Sequence, residues 1–385
     1  MRMEGRELTY LDNAATTFPK PRRVIERMND LMQNGGGNPG RSSHVLAMKA
    51  SEAVFECREE LSDFFGAAGP EQVCFSLNAT SSLNFCIKGL LHRGDHVLIS
   101  DMEHNAVLRP VYRLWREGVI DYSVFPTFVL ERENREERII HGIFSRLRRN
   151  TRMLVCSGTS NLCSMSMPIR AIGELCRREG ILFIVDGAQC AGHMPISLEE
   201  MKIDALCIPS HKGLLGPQGC GAAILGKRVM PKTLIEGGNG INSLEADTSG
   251  ELPERYEAGT LPTPSIVGLC EGVRTVRALG VERIAEHERE LFRRALIGLS
   301  QIDGVRVYCP HHEGSVMLFN KDGIDSEELC RRLSESGICT RGGYHCSALG
   351  HKTLGTTNGG ALRVSFGVYN SSYDVDRLCE ALKDI

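Results

Sequence analysis

Five short runs of apolar residues in the middle of the chain predict buried β-strands. They cover residues 96–101, 153–158, 181–188, 204–209 and 221–226. Strands that are apolar on both faces are typical of a parallel sheet with helices on either side. The pattern therefore predicts a buried, mostly parallel sheet.

Amphipathic segments between these runs predict helices. Segment 168–179 opens with Pro168 and ends before Gly180, which is a common arrangement at helix ends. The arginine-rich run 131–150 carries charges of both signs and predicts an exposed amphipathic helix. Alternating strands and helices predict an α/β fold whose ligands bind at the carboxyl ends of the strands.

The pattern of predicted elements changes near Thr260. The Pro- and Thr-rich segment 260–265 there predicts a boundary between two parts of the chain. The remainder predicts an α+β unit of about 120 residues, which is large enough to be a second domain. Its predicted elements are a helix over 266–300, β-segments at 304–309 and 314–319, a helix over 326–336, a strand at 361–366 and a helix over 374–383.

Composition and charge narrow the class of protein. The chain has 385 residues, 42% hydrophobic and 24% charged, with a formal net charge of −3. These values argue against a disordered chain and against a nucleic-acid binder. No apolar run reaches the roughly 18 residues of a transmembrane helix, and the N-terminal segment lacks the apolar core of a signal peptide. We therefore expect a soluble, cytoplasmic protein that binds neither nucleic acid nor membrane.

Fifteen cysteines are a high number, and most of them have a simple interpretation. The sequence has no CxxC pair and no Cys/His spacing typical of zinc, so we expect no metal site. An odd number of cysteines without an export signal argues against a disulfide framework. Several of them, such as Cys86, Cys156 and Cys207, lie in apolar runs, and we expect these to be small buried side chains.

Two charged side chains at strand ends indicate cofactor chemistry. Lys212 lies in the loop SHKGLLGPQG (210–219), where a desolvated, neutral amine can form a Schiff base. Asp186 ends a predicted strand and can pair with the pyridinium nitrogen of pyridoxal phosphate (PLP). A single lysine or aspartate in such a position is more often a surface lysine or a turn aspartate. The two residues together, in this order and spacing, indicate a PLP site far more specifically than either one alone.

Two further segments fit such a site. Residues 76–85, SLNATSSLNF, open a helix with small polar side chains, and a helix N-terminus is suited to a phosphate. His104 follows a strand at the same edge of the sheet, where it can stack on a flat ring. Both signals are weak alone, because polar helix caps are common and a lone histidine is usually structural.

A series of motifs runs along the chain: LDNAATTFPKP (11–21), NATSSLN (78–84), EHNA (103–106), SGTSN (157–161), DGAQ (186–189), SHKGLLGPQG (210–219), EAGT (257–260), RGGYHC (341–346) and ALRVSF (361–366). In this order, from Leu11 to the last helix, they resemble the cysteine desulfurases of the class V aminotransferase superfamily. The resemblance is to the group II branch, the SufS-like and selenocysteine-lyase-like enzymes, whose catalytic cysteine lies in a short RxGxHC loop.

The resemblance implies a fold and an assembly. The fold is that of PLP-dependent transferases of fold type I, similar to aspartate aminotransferase. A large PLP-binding domain, residues 13–259, would contain the mostly parallel sheet flanked by helices. A smaller α+β domain, residues 1–12 and 260–385, would carry the catalytic cysteine loop. The protein would form a homodimer.

The resemblance also implies which residues hold PLP. Lys212 would carry the cofactor as a Schiff base, with Asp186 at the pyridinium nitrogen, Gln189 at the phenolic oxygen and His104 stacked on the ring. The phosphate would be held by a group of small polar residues: Thr80 with the adjacent Ala79, Ser210, His211, and Thr260 of the partner subunit.

The remaining matches concern the substrate, L-cysteine. Asn161 and Arg363 would bind its carboxylate, and Arg363 suits a bidentate grip. Arg341 and His44 would line the entrance, and Cys346 would accept the sulfur as a persulfide, leaving alanine. A sulfur-acceptor protein would then collect the sulfur, for example in iron–sulfur cluster assembly. Arg341 and the neighbouring His345 are candidates to stabilise the Cys346 thiolate.

Some positions depart from the family pattern. The usual GTT before the phosphate-binding helix is Asn78–Ala79–Thr80 here, so a glycine and one hydroxyl are replaced. The residue before His345 is a tyrosine, and the segment after Cys346 is the least recognisable stretch. The identity of the sulfur acceptor therefore does not follow from the resemblance.

Other activities remain possible on the same scaffold. A selenocysteine lyase, a cyst(e)ine C–S lyase or an aminotransferase would share the cofactor residues and differ in the need for Cys346. A sulfur-relay protein without cofactor is a further alternative. The presence of Lys212, Asp186 and His104 together argues against it.

Overall fold

The computed structural model describes residues 2–3, 6–40, 42–240, 244–246 and 251–385. The strands in these ranges are β1 (Arg2–Met3), β2 (Arg6–Glu7), β3 (Thr9–Tyr10), β4 (Val73–Ser76), β5 (His96–Ser100), β6 (Asp121–Phe125), β7 (Thr151–Ser157), β8 (Leu182–Asp186), β9 (Ala205–Pro209), β10 (Gly221–Leu225), β11 (Val305–Tyr308), β12 (Val316–Lys321), β13 (Ile338–Cys339) and β14 (Leu362–Ser365).

The α-helices in the same ranges are α1 (Arg22–Asn34), α2 (Val45–Phe65), α3 (Ala79–Leu90), α4 (Asn105–Arg116), α5 (Arg135–Phe144), α6 (Ile169–Arg178), α7 (Thr263–Leu279), α8 (Val281–Leu299), α9 (Ser326–Glu335), α10 (Ala348–Leu354) and α11 (Ser372–Lys383). None of the helices in the described ranges has the length and hydrophobicity needed to span a bilayer.

A seven-stranded sheet forms the centre of the fold, in the order β4-β10-β9-β8-β7-β5-β6. The strands from β9 to β6 are parallel to one another. Successive residues of β7 alternate between two core clusters, Leu154 and Cys156 in one and Met153 and Val155 in the other. Because both faces of the sheet are covered, the strands carry the continuous apolar pattern seen in the sequence. The prediction of a mostly parallel sheet is confirmed.

The strand at residues 221–226 differs from the prediction, because β10 is antiparallel to both of its neighbours. Parallel neighbours need a long crossover connection, usually a helix. Only a loop, 210–220, joins β9 to β10, so the chain turns back directly. This turn carries Lys212 at the carboxyl end of β9.

Two local predictions also need correction, and one strand was missed. The stretch 266–300 is two helices, α7 and α8, which meet at Gly280 with φ 84°. The helix predicted over 131–150 covers only Arg135–Phe144. The edge strand β6 was not predicted, because its residues are mostly half-exposed rather than continuously apolar.

The C-terminal part of the chain contains the antiparallel sheet β11-β12-β14 and its own apolar cluster. The N-terminal segment joins this part, because β3 pairs with β13 and Asp12 forms a β-bridge with Ser365. The N-terminal segment up to Asp12 therefore packs against the C-terminal part of the chain. The division into domains of residues 13–259 and of residues 1–12 with 260–385 stays a proposal.

Candidate active site

Most of the residues singled out in the sequence surround one cavity at the carboxyl ends of the parallel strands. These strand ends converge because the strands run in one direction and their following loops lie at the same edge. The predicted residues that line the cavity are Ala79, Thr80, His104, Asn161, Asp186, Gln189, His211 and Lys212.

Lys212 and Asp186 are the charged pair at the floor of this cavity. Burial lowers the pKa of the Lys212 amine to about 8, and the nearby guanidinium groups of Arg363 and Arg341 act in the same direction. Burial raises the pKa of Asp186, although its carboxylate accepts a hydrogen bond of 2.9 Å from the backbone N–H of Ala188. A lysine with a lowered pKa provides the neutral amine that Schiff-base chemistry needs.

The backbone of Lys212 is held by the N-terminal segment. Thr17 donates its hydroxyl to the carbonyl of Lys212 at 2.8 Å. The carbonyl of His211 accepts from Lys20 Nζ at 2.8 Å and from the N–H of Thr17 at 3.0 Å. A Cβ on Gly213 would lie 2.4 Å from the carbonyl oxygen of Ala191, so only glycine fits beside Lys212.

The opposite end of the cavity has the features of an anion site. Helix α3 begins there, and its cap Asn78 accepts a 2.9 Å hydrogen bond from the N–H of Ser81. The residue that replaces the family's glycine therefore serves as the helix cap. His211 Nδ1 is buried without a hydrogen-bond partner in the described structure, and burial lowers the pKa of this imidazole to about 4. An unpartnered buried polar atom beside a helix N-terminus fits a phosphate group.

Ser210 does not line the cavity in this structure. Its hydroxyl lies against Gly216, where it is buried and has no partner among the described residues. Ala79 lines the cavity but carries no hydroxyl, so it offers a phosphate only its backbone. Thr80, in the first turn of α3, also lines the cavity and carries a hydroxyl.

His104 and Gln189 lie on the side walls. His104 precedes α4, and its Nδ1 accepts a hydrogen bond from the N–H of Ala106 at 3.0 Å. Burial and the neighbouring Lys212 lower the pKa of His104 to about 4, so its ring is neutral and can stack on an aromatic cofactor. Gln189 donates its amide to the carbonyl of Ala14 at 2.9 Å, which fixes its orientation.

Arg363 and Asn161, the residues predicted to bind the substrate carboxylate, lie together. Arg363 is 1% exposed and donates Nη2 to Asp12 Oδ1 at 2.8 Å and Nη1 to the carbonyl of Asn161 at 3.2 Å. Its Nε is buried without a partner among the described residues. Asn161 in turn donates its amide to the carbonyl of His345 at 2.9 Å. The free donor of Arg363 is available to a carboxylate.

Cys346 is the exposed cysteine among the fifteen, all of which lie in the described ranges and none of which forms a disulfide. Its carbonyl accepts a 2.7 Å hydrogen bond from the N–H of Asn105, which places it beside His104. Arg341 Nη2 lies 3.9 Å from Cys346 Sγ. The guanidinium of Arg341 is thus a positive charge next to this sulfur.

Helix α10 fixes the loop that carries Cys346. The hydroxyl of Ser347 donates to the carbonyl of Glu103 at 3.1 Å, and that of Thr353 donates to the carbonyl of Asp101 at 3.1 Å. The segment after Cys346, which matches the family pattern least, therefore anchors the cysteine loop to the residues that follow β5.

His345 does not assist the thiolate as expected. Its Nε2 bonds to the carbonyl of Arg341 at 3.0 Å, and its Nδ1 lies 3.3 Å from Nε2 of His351. Burial, together with the nearby Arg363, lowers the pKa of His345 to about 3. A neutral ring with both nitrogens engaged cannot supply positive charge to Cys346, which leaves Arg341 as the nearby cation.

Six predicted residues do not line this cavity: Ser210, Arg341, Arg363 and Cys346, described above, and Thr260 and His44. Thr260 is exposed and receives a hydrogen bond of 3.5 Å from Asn38. His44 is exposed and caps α2 by accepting from the N–H of Ala47 at 3.3 Å. Neither side chain lines the cavity of its own chain. A role for either residue in the site of a neighbouring subunit stays a prediction.

Two carboxylates at the site were not predicted. Glu103 is fully buried and accepts from the N–H and the hydroxyl of Ser157 at 3.1 Å and 3.0 Å, which ties β5 to β7. Burial raises its pKa to about 8. Asp12, the counter-ion of Arg363, is the second. Both lie within quoted motifs, EHNA and LDNAATTFPKP, and the available signal for Glu103 was its place directly before His104.

Comparisons with known proteins identify the family of this chain. The family described as aminotransferase class-V matches residues 9–378. The chain is 30% identical to "Probable cysteine desulfurase" of Methanothermobacter thermautotrophicus, over 99% of this chain and 95% of that protein. It is 31% identical to a protein of the same name from Pseudomonas putida, with 99% and 94% covered.

The fold is similar to solved structures as well. The apo structure of cysteine desulfurase from Thermococcus onnurineus matches with a TM-score of 0.88 and 28% identity, over 98% of this chain and 94% of that one. The cysteine desulfurase CsdA from Escherichia coli, at 24% identity and a TM-score of 0.86, has the same fold over 98% of this chain and 94% of that one. The chain therefore belongs to the aminotransferase class-V family, whose members depend on PLP.

Proposed function

We propose that the protein is a PLP-dependent cysteine desulfurase, which converts L-cysteine to L-alanine and takes up the sulfur on Cys346. The observation that carries this proposal is the position of Cys346. It is exposed, lies beside His104, which lines the cavity, and has Arg341 at 3.9 Å. The names of the relatives support the same activity.

The residues present fit the cofactor. Lys212 would hold PLP covalently, Asp186 would face its pyridinium nitrogen, and Thr80 with His211 would bind its phosphate. Bound PLP withdraws electrons from the α-carbon of an amino acid and so makes the bonds around that carbon easier to break. Ser210 contributes to the phosphate site only if its hydroxyl turns away from Gly216.

Different side chains of the protein then act on different parts of the substrate. Arg363 and Asn161 hold the carboxylate. The Lys212 amine, with a pKa of about 8, can take a proton from the α-carbon and return it near neutral pH. Arg341 lies 3.9 Å from the Cys346 sulfur, which places a positive charge beside the attacking atom. The Cys346 sulfur forms a bond to the substrate sulfur while the substrate's Cβ–S bond breaks, and protonation of the carbon fragment gives alanine.

The proposal includes a homodimer that shares its active sites. A second apolar cavity next to the first is lined by Thr80 and Thr260 together with Leu77, Leu234 and Ile235. Leu77 and Ile235 are 63% and 70% exposed. Exposed apolar side chains of this kind mark a protein interface. A second copy seated here would cover them and bring Thr260 of the partner subunit to the phosphate end.

The destination of the sulfur and the location of the protein stay predictions. A sulfur-accepting protein, as in iron–sulfur cluster assembly, would take the sulfur from Cys346, and we predict a cytoplasmic enzyme.

The products of L-cysteine test the proposed activity. Purified protein with PLP, L-cysteine and dithiothreitol should release alanine and sulfide in equal amounts. Pyruvate and ammonia in place of alanine would identify a C–S lyase instead. Activity on L-selenocysteine without activity on L-cysteine would identify a selenocysteine lyase.

A further inference from the structure

A basic groove leads away from Cys346 between α3 and α4, with a volume of about 340 Å³. Thr80, Asn84 and Lys88 are four residues apart on α3, so their side chains lie along one face of that helix. Asn105, Arg109 and Arg113 have the same spacing on α4. These two rows form the facing walls of what we call the α3–α4 groove.

The charge of the groove is one-sided. Lys88, Arg109 and Arg113 line it, and no lining residue is acidic. Arg113 is ion-paired with Glu117 at 2.5 Å, whereas Lys88 and Arg109 are exposed and form no ion pair with any described residue. The whole chain carries a net charge of −3, so this local excess of positive charge is not a general property of the surface.

The groove begins at the reactive sulfur. Cys346 and His104 lie at the end where both helices start, and Lys88 lies about 12 Å along α3 from Thr80. An extended peptide rises about 3.3 Å per residue, so the groove spans three to four residues of such a chain. A short, extended and negatively charged segment fits this length and this charge.

We propose that the α3–α4 groove binds an acidic peptide segment next to the cysteine of the protein that accepts the sulfur. This inference rests on the proposed function. The acceptor's thiolate attacks the outer sulfur of the Cys346 persulfide, a new S–S bond forms on the acceptor, and Cys346 leaves as a thiolate. No net oxidation occurs. Lys88 and Arg109 bind the acidic side chains of this segment and so place the acceptor's cysteine next to Cys346.

Synthetic peptides with one cysteine flanked by aspartates, by serines or by lysines test this inference. The Cys346 persulfide is first formed with L-cysteine and quantified, and transfer to each peptide is then followed by mass spectrometry. The aspartate peptide should react fastest, and added salt should slow it. Lys88→Glu and Arg109→Glu should each lower its rate about fivefold or more and raise that of the lysine peptide. Lys383→Glu, an exposed charge reversal on α11 in the C-terminal part of the chain, should leave the order unchanged.

A binding measurement separates this inference from the proposed function. A fluorescent aspartate peptide with serine in place of cysteine cannot accept sulfur, yet it should bind the wild type more tightly than Lys88→Glu or Arg109→Glu. Absence of a Cys346 persulfide alone would overturn the desulfurase proposal. Equal transfer to all three peptides, together with equal binding of the fluorescent peptide by the wild type and both variants, would overturn the groove assignment. A single-stranded oligonucleotide that outcompetes the aspartate peptide through the same two residues would overturn the peptide as its ligand.

Discussion

Arg363 and Asp12 form an ion pair of 2.8 Å between Nη2 and Oδ1, although 351 residues separate them in the sequence. The arginine is buried and the aspartate side chain is 20% exposed. Asp12 thereby holds one side of the guanidinium while Nε stays without a partner in the described structure. The pair orients the residue that we propose to bind the substrate carboxylate.

Arg363→Lys should therefore raise the KM for L-cysteine by about tenfold or more. A lysine retains the positive charge but loses the planar set of donors that grips a carboxylate while pairing with Asp12. Steady-state kinetics of alanine formation measure the effect. Arg294→Lys, at an exposed ion pair with Asp376, is the matched control and should leave KM unchanged. A KM for Arg363→Lys within twofold of the wild type would contradict the carboxylate role.

Asp12→Asn tests the same pair from the other side. The substitution removes the counter-ion of a buried guanidinium, so the free energy of unfolding should fall by about 1–3 kcal/mol, since the partial exposure of Asp12 moderates the loss. Urea unfolding measures it. An unchanged unfolding midpoint would mean that the pair contributes nothing to the fold.

The rate at which PLP attaches covalently to Lys212 should depend on pH as the lowered pKa of its amine dictates. Below pH 8 the neutral fraction grows about tenfold per pH unit, so the attachment rate should rise to about pH 8 and level off there. An ordinary lysine would show a continued rise towards pH 10.5. Borohydride reduction and peptide mapping identify the site. Lys20, whose pKa burial also lowers to about 8, must remain unlabelled.

The His345–His351 contact predicts sensitivity to acid. The pKa of His345 falls from 6.5 in the unfolded chain to about 3 in the folded one. Between these values only the unfolded state binds the proton, so stability should be lost as the pH falls from 6.5 towards 3. His345→Asn should flatten this dependence, while at pH 7.5 it should lower the free energy of unfolding by about 1–3 kcal/mol. His141→Asn, at an exposed site on α5, should retain the wild-type dependence; equal acid slopes in all three proteins would refute this account.

Shared active sites predict recovery of activity in mixed dimers. Lys212→Ala and Thr260→Ala chains should each be weakly active, because each site would need one residue from each subunit. After subunit exchange, one site of every mixed dimer is intact, so activity should return to at most about a quarter of the wild-type value. Exchange verified by native mass spectrometry without any recovery would exclude sharing through Thr260.

The elements that position the site could be predicted from the sequence because their signals are local. Buried parallel strands show as apolar runs, and Lys212 and Asp186 follow such runs directly. The reversed direction of β10 was missed because apolar pattern alone does not encode strand direction; only the short loop to β9 does.

The remaining features depend on contacts between distant segments. Asp12 meets Arg363 only after β3 has paired with β13, and no spacing in the sequence signals that. His345 was misjudged because its neighbour in sequence is Cys346, whereas its ring points to His351 and the carbonyl of Arg341. The places of Thr260 and His44 depend on a second chain and remain predictions.

The mass of the peptide that contains Cys346 tests the central claim most directly. Protein with bound PLP is treated with L-cysteine in the absence of reductant, alkylated and digested. We predict that the peptide with Cys346 gains the mass of one sulfur atom, that the peptides of the other fourteen cysteines do not, and that Cys346→Ala gains none. Sulfur on another cysteine, or alanine formation by Cys346→Ala at the wild-type rate, would contradict the account.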